Sequence, residues 1–193
     1  ETLSRVIDPH DRDSMIYADG AGATILEGKE EETKRGILAH ATRTDTLEEA
    51  YYLWNGQSFN ADACQEQFYI KMHGRKLYKY AVKNVPPLVK HCLEKANLDV
   101  SDVNKVLIHQ ANEKLDEGII RSFFRLYGIR EVPDDVMPMC IEKMGNNSVA
   151  TVPILYDKIV RGTLEGHQFE AGNHLVFSSV GAGMNVSAFA YKV

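Results

Sequence analysis

Apolar residues recur at positions 149, 152, 155, 156, 159 and 160, the spacing of one helix face, and predict a helix over Val149–Val160. Gly162 suits its C′ position, and Asn147 or Ser148 can cap its start. A second stripe, from Leu77 through Tyr80, Val85 and Val89 to Leu93, predicts a long helix over Phe68–Asn97. Pro86-Pro87 must kink or interrupt it. A third stripe, Leu115, Ile119, Ile120, Phe123, Phe124 and Tyr127, predicts a helix over Asn112–Tyr127, ended by Gly128. Continuous apolar runs of strand length predict buried strands at Lys105–His109 and His174–Val180. The turn Gly181-Ala182-Gly183 then leads to a last strand over Met184–Tyr191. Ser14–Tyr17, Thr24–Leu26 and Gly36–Thr42 are shorter strand candidates, the last closing a hairpin, and Gly28–Lys34 is a charged turn. This alternation predicts an α/β fold: a mixed sheet flanked by helices, with a C-terminal antiparallel hairpin.

Length narrows the picture to one domain, since 193 residues can bury a full core. A net charge of -5 argues against a general nucleic-acid surface, so no nucleic-acid partner is expected. No apolar run reaches membrane-spanning length, so no membrane partner is expected either. Cys64, Cys92 and Cys140 have neither disulfide-framework nor metal-ligand spacing, and the histidines are scattered. The expectation is a reducing, cytoplasmic setting without a structural metal or cofactor. Cys92 sits on the apolar stripe and reads as core. Residues 1–13 are polar and turn-rich and read as a linker arriving from elsewhere, with the domain proper at 14–193.

Two stretches carry candidate chemistry. Gly145-Asn146-Asn147-Ser148 stands at a helix mouth, where a Gly permits close backbone approach and an Asn amide and free N–H groups can meet an oxygen that gains negative charge. His109 ends a strand just before a helix, at the carboxyl edge where α/β sheets gather ligands. A neutral His109 and the Asn146 amide can both donate to one oxygen, an arrangement suited to an enolate formed from a thioester. Gly181-Ala182-Gly183 can add a backbone N–H. The plain alternatives are a satisfied core histidine and a helix cap. Asp19-Gly20-Ala21-Gly22-Ala23 runs into a strand rather than a helix and has no Lys, so it reads as close backbone packing, not a phosphate loop. The 44–64 stretch is the least legible; its Tyr51, Tyr52, Trp54 and Phe59 line a pocket or cover the core, with pocket lining the preferred reading. No Ser, Cys or Lys has an activating context for a nucleophile.

Taken together, Asp19–Ala23, Met72-His73-Gly74 with Tyr78-Lys79, His109-Gln110-Ala111-Asn112, Gly145-Asn146 with Ser148, and Gly181–Gly183 resemble the C-terminal half of a β-ketoacyl-acyl-carrier-protein synthase III, in the thiolase superfamily. The resemblance implies a thiolase-like layered half and a homodimer. It also implies a decarboxylative condensation of an acyl thioester with malonyl-carrier protein, in fatty-acid or related biosynthesis. His109 and Asn146 match the His and Asn of the family's Cys-His-Asn triad. Asn112 matches a supporting Asn, Ala182 an oxyanion position, and Met72, Gly74 and Tyr78 substrate-binding positions. The family's nucleophilic Cys lies in an N-terminal half that this chain lacks, so the chain alone is expected to be inactive. Implied partners are an acyl carrier protein, acyl-coenzyme A and that N-terminal half; coenzyme A and phosphopantetheine thioesters enter as substrates, without a cofactor. Basic residues follow the family's His-Gln-Ala-Asn motif, so Lys114, Arg121 and Arg125, which share one helix face, are candidates for carrier docking; the alternative is a solvated face. Met144 stands where the family often has His, and the 44–64 stretch departs from its pattern. The other readings left open are a non-decarboxylating acyltransferase or hydroxymethylglutaryl-type relative, and a silent partner half.

Overall fold

A computed structural model describes residues 1–30, 32–64 and 66–193. In chain order its elements are β1 (Gly36–Thr44), β2 (Leu53–Gly56), β3 (Tyr69–Met72), α1 (Gly74–Ala96), β4 (Val103–Ile108), α2 (Glu113–Arg125), α3 (Ile141–Met144), α4 (Thr151–Val160), β5 (His174–Gly181) and β6 (Asn185–Lys192). The main sheet has the order β1-β6-β5-β4; β4 and β5 are parallel, and β6 is antiparallel to both β5 and β1. The mixed sheet and closing β5–β6 hairpin are thus as the apolar runs predict.

Strand alternation divides the core in two. Val106, Ile108, Val176, Val186, Ala188 and Ala190 face the buried stripes of α1 and α2. Leu107, Leu175 and Phe177 turn the other way, onto Leu155 and Ile159 of α4. Successive side chains of a strand point to opposite faces, so a strand buried on both sides must be apolar at nearly every position. β5 is so at Leu175, Val176 and Phe177.

Four sequence expectations give way. The helix expected from Phe68 begins only at Gly74, because Tyr69–Met72 pairs antiparallel with Leu53–Gly56 as a two-stranded ribbon. Ladder pairing with a segment the periodicity had not marked won over helix spacing. Of the kink or interruption expected at Pro86-Pro87, the interruption does not occur, since α1 is one helix from Gly74 to Ala96. The two prolines forfeit two ladder bonds, but Pro86, Leu88 and Val89 are buried and packing holds the turn. Ser14–Tyr17 is not a strand: Arg12–Ile16 is a 3-10 turn capped by the Asp11 carboxylate. Thr24–Leu26 is exposed and unpaired, since no strand of the described residues lies beside it, and β1 pairs with β6 instead of closing a hairpin with it. Of the charged turn at 28–34, residue 31 lies outside the described residues. Segment 1–13 carries the expected turns but is anchored, with Leu3 and Asp8 buried.

Candidate functional site

The ends of the parallel strands place the candidate chemistry. His109 follows the last residue of β4, and its backbone N–H donates to Ser178 O of β5 at 2.9 Å. Its ring nitrogen Nδ1 lies 3.1 Å from Ser148 O. A carbonyl can only accept, so Nδ1 carries the proton and the neutral ring presents an unprotonated Nε2. Burial pushes the imidazole down to about 4, although the Ser148 carbonyl favours the charged form, so His109 is neutral near pH 7. The neutral ring is as expected; its donor, however, is spent on Ser148, and Nε2 is an acceptor until it gains a proton.

Gln110, fully buried, clamps the turn: Nε2 donates to Pro138 O at 2.9 Å and Oε1 accepts from Cys140 N at 2.9 Å. Both halves of its amide are satisfied, which makes Gln110 a positioning residue that sequence reading passed over. Asn112 caps α2, its Oδ1 accepting from Leu115 N at 2.9 Å.

Asn146 is brought to the same edge by close backbone approach. Its N–H donates to Ile16 O and its carbonyl accepts from Ala18 N, each at 2.9 Å, a parallel bridge beside Tyr17. Gly145 is required here: φ is +69°, and a Cβ would stand 2.8 Å from that of Ala18. Across from it, a Cβ on Gly22 would meet Pro153 at 2.4 Å, so the Asp19–Ala23 glycines serve close packing, as read from the sequence. Neither Asn147 nor Ser148 caps a helix by its side chain; Asn147 Nδ2 instead donates to Asp19 O at 2.8 Å and Met144 O at 3.1 Å. Asn146 is 4% exposed, and its Oδ1 accepts from Ser148 N at 2.9 Å. That bond fixes the amide orientation and leaves Nδ2 as a donor without a protein partner among the described residues.

His109, Asn112, Asn146, Ser148 and Ala182 border one cavity of about 640 Å³, and Met72, Gly74 and Tyr78 line it too. Leu53, Trp54 and Ile70 of the β2–β3 ribbon complete an apolar wall. Of the four loop aromatics, Trp54 alone is in that wall; Tyr51 and Phe59 are exposed and Tyr52 packs against the core. Among the described residues no cysteine lines the cavity, and burial pushes the thiols of Cys92 and Cys140 up. Lys114, Arg121 and Arg125 stand outside it, exposed on α2, with Arg121 paired to Glu117 at 2.8 Å. Among the described residues, no group of His, Cys, Asp and Glu could hold a metal, and no helix is long and apolar enough to cross a membrane.

A mixed sheet between helices, with His and Asn turns meeting at its carboxyl edge, defines one half of a thiolase-like fold. The description of the 3-oxoacyl-[acyl-carrier-protein] synthase III C-terminal domain matches residues 93–193, and that of 3-oxoacyl-[acyl-carrier-protein] synthase III matches residues 1–46. The chain belongs to the 3-oxoacyl-[acyl-carrier-protein] synthase III family. It is 31% identical over 199 residues to the β-ketoacyl-[acyl-carrier-protein] synthase III of Lactobacillus helveticus, covering 100% of this chain and 57% of that one. It is 29% identical over 198 residues to synthase III 2 of Lactiplantibacillus plantarum, covering 97% of this chain and 56% of that one. The crystal structure of 3-oxoacyl-(acyl carrier protein) synthase III from Pseudomonas aeruginosa superposes with a TM-score of 0.81 at 22% identity, covering 99% of this chain and 55% of that one. The chain therefore spans about half the length of the curated relatives it matches.

Proposed function

We propose that this chain is the oxyanion-binding half of a condensing enzyme that joins an acyl thioester to a malonyl thioester with loss of CO2. The observation that carries the reading is the convergence of Asn146, His109 and Ala182 on one largely apolar cavity that no cysteine reaches. An apolar wall suits a pantetheine arm and acyl chain, and exclusion of water strengthens each hydrogen bond at the polar end. When the malonyl carboxylate leaves as CO2, its bonding pair moves toward the α-carbon and the thioester oxygen. Asn146 Nδ2 is a standing donor for that oxygen. Neutral His109 borders the same cavity and presents Nε2 to it as an acceptor, with Nδ1–H held by the Ser148 carbonyl. The carbanion attacks an acyl group held on a thiol, and the thiolate leaves; that thiol belongs to a partner half.

Supporting this, the segment at Ile25 and Leu26 and the side chains of Met15 and Val149 are exposed apolar surface, and they suit cover by a second half. Lys114 and Arg125 on the open face of α2 suit an acidic carrier protein, with phosphopantetheine or coenzyme A as the thioester carrier. A homodimer in the cytoplasm fits the same reading.

The test pairs two preparations. The chain alone, given acyl-coenzyme A and malonyl-carrier protein, is expected to yield no β-ketoacyl product. Completed by a nucleophile-bearing half, it is expected to yield product, and Asn146→Ala to cost roughly a hundred- to thousandfold, the usual loss of one oxyanion donor. Acylation of the thiol, followed separately, is expected to suffer less. No product from the completed enzyme, or equal loss in both half-reactions, overturns the proposal.

A further inference from the structure

The turn 109–112 holds its functional side chains by bonds described above, but one group beside it has none. Asp116, in the first turn of α2, is fully buried, and neither carboxylate oxygen has a hydrogen-bond partner among the described residues. Its neighbours on the helix, Leu115, Ile119 and Ile120, are core residues. Only the backbone N–H of Ala111, in the middle of the His109–Asn112 turn, favours its ionised form, and it lacks the geometry of a full hydrogen bond. The one charged group bearing on it is Glu113 of its own helix, which disfavours a second negative charge. From α1, the Tyr78 hydroxyl lies over Gly118, and the titratable group of the turn itself is His109. No Lys or Arg pairs with it among the described residues.

A carboxyl so placed has two unlike states. Protonated, it is a compact neutral group within the core. Ionised, it must find a donor, and the Ala111 amide is the one at hand. We propose that Asp116 is a proton-operated positioning residue, which sets the placement of the His109–Asn112 turn through the Ala111 amide. Burial pushes its carboxyl up to about 8, so both states are populated in mildly alkaline solution. This inference rests on the reading of His109 as a site residue but needs no catalysis for its test.

The test follows the imidazole resonances of isotope-labelled His109 in this chain from pH 6 to pH 10. His109 itself stays neutral there, its own transition lying near 4. The ring signals are expected to shift with a midpoint near pH 8 in the wild type, and to stay flat in Asp116→Asn, which keeps shape and loses the titration. Asp116→Glu is expected to restore a titration with an altered midpoint. A flat wild type, or the same titration in Asp116→Asn, overturns the proposal. A circular-dichroism melt of each variant establishes that it is folded, and Asp116→Leu supplies a second non-titrating form if Asp116→Asn is not. Loss of condensation in the completed enzyme would remove the functional reading above while leaving this titration in place.

Discussion

Asp8 and Asp116 are both 0% exposed, yet the regions around them treat a negative charge in opposite ways. Asp8 lies where the N-terminal segment, the loop before β3 and β3 itself meet. It accepts from Lys71 Nζ, from Phe59 N at 2.8 Å, Ser58 Oγ at 2.9 Å and His10 N at 3.0 Å. Burial alone would raise its pKa, but the Lys71 ammonium and those donors outweigh it and hold the carboxyl well below the usual range. Lys71 is itself 2% exposed, with Asp11 at 3.3 Å and the Phe59 ring 3.6 Å beneath its ammonium. Asp116 has the same burial among apolar neighbours and is pushed up to about 8. Burial sets what a charge costs; the donors placed around it decide whether the charge is kept.

The largest effect expected from this contrast is at Lys71. Lys71→Met keeps the length of the side chain and strands Asp8 as a buried charge. Breaking a buried pair from one side typically costs about 3–5 kcal/mol. Urea unfolding of Lys71→Met is expected to show a loss of that order, and Asp8→Asn added to it to recover part of the loss, because the stranded charge goes with it. A single-variant loss below about 1 kcal/mol would mean that the pair is no clasp.

At Asp116 the expected change has the opposite sign. The unfolded carboxyl titrates near 4 and the folded one near 8, so the folded state holds one proton more between those values. Stability therefore falls as pH rises from about 4 to about 8 and levels off above that. Asp8 gives the reverse slope: its contribution is present above about pH 4 and is lost as pH falls below the unfolded pKa. Asp116→Leu is expected to stabilise the chain by on the order of 1–3 kcal/mol at pH 8, less at pH 5, because the cost of burying a carboxyl that one backbone amide offsets only in part is removed. Denaturation curves at the two pH values check this, and a destabilised Asp116→Leu at pH 8 would show that the Ala111 amide compensates the burial of the carboxyl in full.

The same contrast marks what the sequence could show. The carboxyl-edge site is legible because each of its parts is local: strand end, motif and helix cap lie within a few residues at His109–Asn112, and the Gly-Asn pair stands together at Gly145-Asn146. The β4, α2 and β5–β6 elements are legible because their apolar patterns are unbroken: continuous runs in β4 and β5, alternation in β6 and a helical stripe in α2. The Asp8 clasp was not, since it joins residues 8, 58, 59 and 71 across a stretch whose pattern is neither helical nor alternating. The β2–β3 ribbon was missed for the same reason, and with it the Trp54 wall of the cavity. Thr24–Leu26 has strand-forming residues and no strand, because a ladder needs a neighbour. Asp116 falls between apolar residues in a stripe that was read for its hydrophobic members only, and a single polar position inside such a stripe was the available signal.

Glu117 supplies the smallest effect and the baseline for the other two. It is next to Asp116 in sequence, but the 100° step of a helix carries it from the core toward solvent. There it meets Arg121 one turn on at 2.8 Å, with the two side chains 43% and 59% exposed. Water can solvate either partner when the pair opens, so little is gained by closing it, and ordering two long side chains costs entropy. Glu117→Gln retains helix propensity and removes the charge. It is expected to change stability by no more than about 0.5 kcal/mol, the usual worth of an exposed i,i+4 pair. Because the pair is screened, the difference is expected to shrink further in about 1 M salt, where the Debye length is near 3 Å. The Asp116→Leu gain is expected to keep most of its size there, since no mobile ion reaches a fully buried group. Parallel urea curves at low and high salt compare the adjacent positions directly. A Glu117→Gln loss as large as that of Lys71→Met, persisting in salt, would show that exposure does not separate these carboxylates.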